Sequence, residues 1–328
     1  MQFAYIFDRR ILTVSNWIKS VFKKPSTRLI EKSNPGDVLH PLKLGLALSG
    51  GGTFGTAYIG VFRAFEEAGL HFDYVAGTSA GALLGAAYCS GISSKEMEEI
   101  ALNLKAKDIL TSKVFFMPSK PDKLEKLIET VLGGKTFEDL KTPFCAVVVD
   151  VITGDEVHLR TGNLSKAVAG SCAFPGAFTP VEYPPMRLLD GGIQNNIPAD
   201  VVREMGADVV LTIDLNPSRG QGTDSDKYVD IIKAALRIMM KSNSYRGYVY
   251  SDYIVKLDLT EFSQVKMEGV QDMINIGYEM TKAEMPNILR VLGMRVPDES
   301  IKETAARISA MQKRAKQIAK ENKKKINL

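Results

Sequence analysis

Ser79 is the residue of this chain whose setting best suits a nucleophile. It sits in Gly77-Thr78-Ser79-Ala80-Gly81, between an apolar run and a small-residue stretch of helical character. A Gly-x-Ser-x-Gly pentapeptide at a strand-to-helix turn lifts the serine hydroxyl to the carboxyl edge of a sheet. Gly77 and Gly81 suit such a turn because side chains there collide with the adjoining strand and helix. The helix N-terminus beneath Ser79 offers unpaired N–H groups and a partial positive charge. Taken alone, the pentapeptide also fits a glycine-rich turn with an incidental serine.

A second glycine turn lies upstream, Gly50-Gly51-Gly52-Thr53-Phe54-Gly55. It fits the dinucleotide fingerprint Gly-x-Gly-x-x-Gly, which requires a carboxylate at the end of the next strand. Asp73 is at a suitable distance but starts that strand, and the place of the ribose carboxylate is taken by the Ser79 turn. Gly50, Gly51 and Gly52 fit an oxyanion hole better. Consecutive glycines let backbone N–H groups, here those of Gly51 and Gly52, converge on a developing negative charge.

The third group is Asp190-Gly191-Gly192, at the end of the short apolar run from Met186. An aspartate beside glycines is commonly a turn residue. It can also face the elbow serine as its base. The three histidines are His40, His71 and His158, and none follows Asp190. The chain order Ser, acid, His is therefore not available. A nucleophilic Ser79 then points to a Ser79–Asp190 dyad with the carboxylate as direct base.

These groups need a sheet edge to present them. Lys43 to Ser49, Phe72 to Ala76, Pro143 to Val151, Asp208 to Leu215 and Tyr253 to Leu259 read as strands. Glu156 to Arg160 reads as a hairpin partner of the Pro143 run, with His158 structural. Helices are expected over Thr56 to Ala68, Ala82 to Cys89, Lys95 to Leu110, Lys123 to Leu132, Leu164 to Ala173, Val201 to Gly206, Tyr228 to Lys241 and Ile274 to Leu292. The alternation predicts an α/β domain with a mostly parallel sheet covered on both faces. The Phe115-Phe116-Met117 cluster suits either an acyl groove or plain core.

With these motifs in order, the chain resembles the patatin-like phospholipases, in the bacterial branch similar to the neuropathy-target-esterase catalytic domain. The stretch Ala173-Phe174-Pro175-Gly176-Ala177-Phe178-Thr179-Pro180 and Asn196-Ile197-Pro198 add to the match, which covers residues 42 to 215. The resemblance implies a three-layer α/β/α sandwich, a Ser79–Asp190 dyad, neither metal nor cofactor, and hydrolysis of acyl esters in lipids. Many members carry Arg or Lys where this chain has Phe54, a departure that bears on substrate preference and rate. The competing reading is an inactive or weak lipid-binding protein on the same fold.

Composition frames the rest. At 328 residues and 45% hydrophobic, the chain can bury one large core. Cys89, Cys145 and Cys172 lie in apolar contexts, as expected of reduced thiols in a cytoplasmic protein. The net charge of +4 is segregated. Residues 1–43 carry eight Lys/Arg against three Asp/Glu, and residues 294–328 ten against four, so basic arms flank an acidic body. Such arms suit an anionic partner surface, here the inner face of a membrane, or plain solubility and solvated helix faces; no nucleic-acid partner is expected. The expected organisation is an amphipathic basic segment and linker over 1–40, a catalytic domain over 41–293 and a basic helical tail over 294–328. Ile11, Val14, Ile18 and Val21 share a helical face beside Trp17, the composition of an interfacial helix or of a helix packed on the domain's own surface. That run is too short and charged to span a bilayer.

Overall fold

β1 (Leu44–Leu48), β2 (Tyr74–Thr78), β3 (Phe144–Asp150), β4 (Glu156–Leu159), β5 (Val181–Tyr183), β6 (Met186–Asp190), β7 (Val209–Asp214) and β8 (Tyr253–Lys256) form one sheet. The computed structural model describes residues 42–104, 118–216 and 222–293. The strand order is β5-β6-β3-β2-β1-β7-β8, with β4 paired to β3. The five strands from β3 to β8 are parallel. β4, β6 and β5 extend the sheet in antiparallel fashion. The expected mostly parallel sheet is thus its centre, and the strand carrying Asp190 runs against it.

Strand periodicity builds two cores. Leu46, Leu48, Val75, Ala146 and Val148 pack into the larger one. It takes side chains from α1 (Ala57–Glu67), α2 (Ala80–Cys89), α4 (Asp122–Leu132), α5 (Leu164–Ser171) and α8 (Val270–Val291). α3 (Ser94–Asn103) covers α1 on the same side. Ala47, Ala76, Cys145, Val147 and Val210 point the other way, onto α6 (Ala199–Glu204) and Tyr248 of α7 (Tyr228–Tyr250). The three layers are helices, sheet and helices.

Several boundaries differ from expectation for local reasons. β2 starts at Tyr74 because Asp73 is tied to the amino end of β1. Its N–H donates to the Leu44 carbonyl at 2.7 Å and its Oδ2 accepts the Leu44 N–H at 2.8 Å. β8 stops at Lys256 because its partner β7 stops at Asp214. α7 continues past Lys241 to Tyr250 although Ser242, Asn243 and Ser244 are weak helix formers. Tertiary contacts hold that half: Asn243 donates to the Ile193 carbonyl, and Ser244 receives a hydrogen bond from the Asn196 amide. The expected segments at 1–40 and 294–328, and the Phe115-Phe116-Met117 cluster, lie outside the described residues.

Candidate active site

Ser79 stands between β2 and α2 with φ 54° and ψ −121°. Among the described residues no other non-glycine has positive φ. Such a conformation costs about 1–3 kcal/mol and persists only where its surroundings over-determine it. Here they do. The Ser79 N–H donates to Ser171 Oγ at 2.9 Å, and Ser171 Oγ donates to the Val147 carbonyl at 2.6 Å. The Ser79 carbonyl accepts the N–H groups of Ala82 and Leu83 at 2.9 and 3.0 Å, and Cys172 Sγ donates to it at 3.2 Å. Thr78 Oγ1 donates to the Asn195 carbonyl at 2.8 Å. A Cβ on Gly81 would lie 2.2 Å from the Leu48 carbonyl oxygen, so only glycine lets α2 begin this close to β1. The main chain of Ser79 is fully engaged, and its hydroxyl is left for chemistry.

Asp190 reaches the same place from the antiparallel side. β3 pairs Val147 with Thr78 on one edge and Val148 with Asp190 on the other. One strand therefore separates the two candidates. Asp190 is 1% exposed, and its Oδ1 accepts the Gly192 N–H at 2.8 Å. Oδ2 is buried with no closed hydrogen bond. Burial pushes the carboxyl up to about 6, against the Ser79 hydroxyl and the Gly192 N–H, both of which favour the charged form. A carboxylate beside a serine hydroxyl, with one oxygen uncommitted, is equipped to accept that proton.

The glycine turn lies above them. The Gly50 N–H donates to the Asn196 carbonyl at 3.1 Å. Its role is to join the two loops. Among the described residues the N–H groups of Gly51 and Gly52 have no hydrogen-bond acceptor. Gly52 has φ 59°, and a Cβ there would sit 2.4 Å from the Gln264 carbonyl oxygen, which accepts the Thr53 N–H at 3.1 Å. Gly55 packs on Ala80 and Gly191 on the Val147 carbonyl. Gly77 packs against the carbonyl of Gly81.

Asp214 and Asn216 build the site without a motif to mark them, and Asn196 does so from the Asn196-Ile197-Pro198 stretch. Asp214, at the end of β7, accepts the Tyr248 hydroxyl at 2.7 Å and the Asn216 N–H at 2.8 Å. Asn216 Nδ2 in turn donates to the Gly50 carbonyl at 3.1 Å. The Asn196 amide lies between the Gly50 and Gly192 backbones, with a buried and unpartnered Oδ1. Its position four residues past the Asp-Gly-Gly turn was the visible signal; for Asp214 it was an aspartate closing an apolar strand.

The remaining candidates stand elsewhere. Asp73 lies at the amino edge of the sheet, paired with Lys43 at 3.1 Å. His158 is held by Glu156 at 2.8 Å and Glu204 at 3.2 Å, in a cluster with Arg246 and Asp200. Phe54 is buried in the larger core rather than turned toward the oxyanion turn. The three cysteines are free thiols. Among the described residues no group of His, Cys, Asp or Glu is arranged to hold a metal ion.

Residues 46–203 match the family model for patatin-like phospholipase. This chain carries a patatin-like domain. It is 33% identical over 187 residues to an uncharacterized NTE family protein of Mycobacterium tuberculosis, covering 55% of this chain and 32% of that protein. It is 33% identical over 239 residues to patatin-like phospholipase domain-containing protein 7 of Rattus norvegicus, covering 69% of this chain and 17% of the rat protein. The chain thus spans about a third or less of the length of these relatives. In fold it is similar to VipD from Legionella pneumophila, with a TM-score of 0.53 at 14% identity over 86% of this chain and 77% of that one. The patatin-like domain spans the elbow serine, the glycine turn and Asp190-Gly191-Gly192.

Proposed function

We propose that the chain is a serine lipid acyl hydrolase. The observation that carries this reading is the strained, fully braced Ser79 beside a buried Asp190 whose carboxyl has one uncommitted oxygen. Ser79 Oγ attacks the ester carbonyl carbon as its proton passes to Asp190. The oxyanion forms against the N–H groups of Gly51 and Gly52, each donor contributing about 3 kcal/mol. Collapse expels the alcohol, which takes the proton from Asp190, and leaves an acyl-serine. Asp190 then accepts a proton from water as it attacks the acyl carbon, and returns it to Ser79.

The substrate class follows from the family, which is that of patatin-like phospholipases. Among the described residues no helix is long and apolar enough to cross a membrane. We therefore read the protein as reaching lipid from the surface, aided by the basic arms at 1–43 and 294–328. Each basic residue near an anionic surface contributes on the order of 1 kcal/mol, and salt screens it.

A fluorophosphonate probe tests the chemistry. The wild-type protein is expected to label and the Ser79→Ala and Asp190→Asn variants are not. Equal labelling of wild type and Ser79→Ala would leave the inactive lipid-binding reading in its place.

A further inference from the structure

β7 and β8 are parallel and α7 connects them, so α7 runs against the strands. Its C-terminal end lies at the amino edge of the sheet and its N-terminal half at the carboxyl edge, where Ser79 stands. Met240 fixes the level: its Cε is 2.4 Å from where a Gly192 Cβ would lie. From Met240 back to Tyr228 the helix rises about 18 Å past the catalytic turn, at 1.5 Å per residue.

That overhanging half is not clothed like a solvent-facing helix. Ile231, Ile238 and Met239 are 45%, 54% and 51% exposed. Its charge is nearly all of one sign: residues 227–241 hold Lys227, Lys233, Arg237 and Lys241 against Asp230 alone. On another side of the site, the loop whose Gln264 carbonyl braces Gly52 presents Val265, 74% exposed, next to Lys266, whose ammonium lies 3.9 Å from the Glu268 carboxylate. Two separate elements, one contacting Gly192 and one contacting Gly52, thus raise apolar side chains at the rim of the same site, and the α7 half adds an excess of basic residues.

We propose that this rim, the N-terminal half of α7 together with the Val265 loop, is the face that docks on an anionic lipid surface. The inference rests on the hydrolase reading for its choice of occupant, while the exposed aliphatic side chains and the basic excess of α7 stand apart from that reading. Aliphatic side chains flanked by Lys and Arg are what an acyl and headgroup boundary accepts. A second copy of the chain seated there would close the route to Ser79, whereas a lipid surface delivers the substrate to it. Docking also reaches the chemistry, because the inner side of α7 touches the catalytic loop through Met240, Asn243 and Ser244.

The test uses the full chain in three forms: wild type, Ile231→Gln/Ile238→Gln/Met239→Gln, and Val265→Gln. Gln keeps the helix propensity of an exposed position. Binding is read by co-sedimentation in a Ser79→Ala background, on vesicles of phosphatidylcholine alone and of phosphatidylcholine with phosphatidylserine. Wild type is expected to pellet with the mixed vesicles and the triple variant to bind them at least about tenfold more weakly, with a smaller loss for Val265→Gln. With Ser79 intact, hydrolysis of vesicle lipid falls in step, while turnover of a soluble short-chain nitrophenyl ester stays within about twofold. Undiminished pelleting of the triple variant overturns the proposal. So does a wild-type dimer that the triple variant converts to monomer with vesicle binding intact, which makes the face an interface between copies. If wild type pellets through this face yet turns over no ester, docking stands and the hydrolase reading falls.

Discussion

The N–H of Gly50 donates to the carbonyl of Asn196 at 3.1 Å, joining the glycine turn to the loop that follows Asp190. The Gly50 carbonyl is held in turn by Asn216, and Asn216 by Asp214. The glycine turn and the loop that follows Asp190 are thus parts of one hydrogen-bonded assembly, fastened at the carboxyl ends of β1, β6 and β7.

Asn216→Ala removes one brace of that assembly without touching Ser79 or Asp190. Stability is expected to fall by about 1 kcal/mol, the worth of one partly buried hydrogen bond. The expected kinetic effect is larger, about tenfold or more in kcat with little change in KM, because a misplaced donor harms the transition state above the ground state. Steady-state kinetics on a soluble ester, set beside urea denaturation, measures both.

Asp190 makes activity and stability respond to pH in opposite directions. Its folded pKa is raised to about 6 from 3.8, so the carboxylate that the proposed base requires forms as pH rises through about 6. kcat/KM is expected to rise there with the slope of a single ionisation. A carboxyl raised on folding favours the native state most below its unfolded value, and that contribution is lost as pH climbs to the folded value. Asp190→Asn lacks this loss. Relative to wild type, the variant is expected to gain stability between about pH 4 and pH 7, by on the order of 3 kcal/mol at the upper end. Thermal melts across that range check the sign; a constant difference would contradict it.

Ser79→Gly separates strain from chemistry. Glycine adopts φ 54° without the steric penalty that serine bears. The variant is expected to be more stable than wild type by about 1 kcal/mol and to lose fluorophosphonate labelling altogether. Ser79→Ala loses labelling as well but keeps the strain, so its denaturation midpoint should fall below that of the glycine variant.

Phe54→Arg tests what the departure from many relatives means. The side chain is 2% exposed in the larger core. A guanidinium placed there without other changes is desolvated and unpaired, at a cost of several kcal/mol. The variant is expected to lose stability rather than gain rate, as read by denaturation and by ester turnover.

His158 gives a milder pH signature. Its pKa is raised, chiefly by the hydrogen bond to Glu156. That contribution to stability is present below the ordinary histidine value and fades as pH rises through the raised one. The partial exposure of the ring keeps the effect small. His158→Gln should flatten this part of the stability profile and leave ester turnover alone.

The local parts of this site were legible in the sequence. Gly77 to Gly81 reads as an elbow because glycine spacing around a serine, between an apolar run and a small-residue helix, dictates a backbone that few other sequences adopt. Asp190-Gly191-Gly192 reads as a strand end for similar reasons, and the lack of a histidine after it narrows the choice of base. Strand and helix alternation gave the layers, since apolar periodicity is a local property. What only the tertiary structure decided is who touches whom. The Gly50 N–H donates to the Asn196 carbonyl, a link between two turns that lie far apart in the sequence. Phe54, where many relatives carry Arg or Lys, is core. Asp214, Asn216 and Ser171 carry no motif, yet they brace the glycine turn and the elbow. α7 runs nine residues past Lys241 because the loop after Asp190 needs its inner face. A hydrogen bond between residues far apart in the chain depends on strand order and register. Those are set by the packing of the whole sheet, and no stretch of sequence states them by itself.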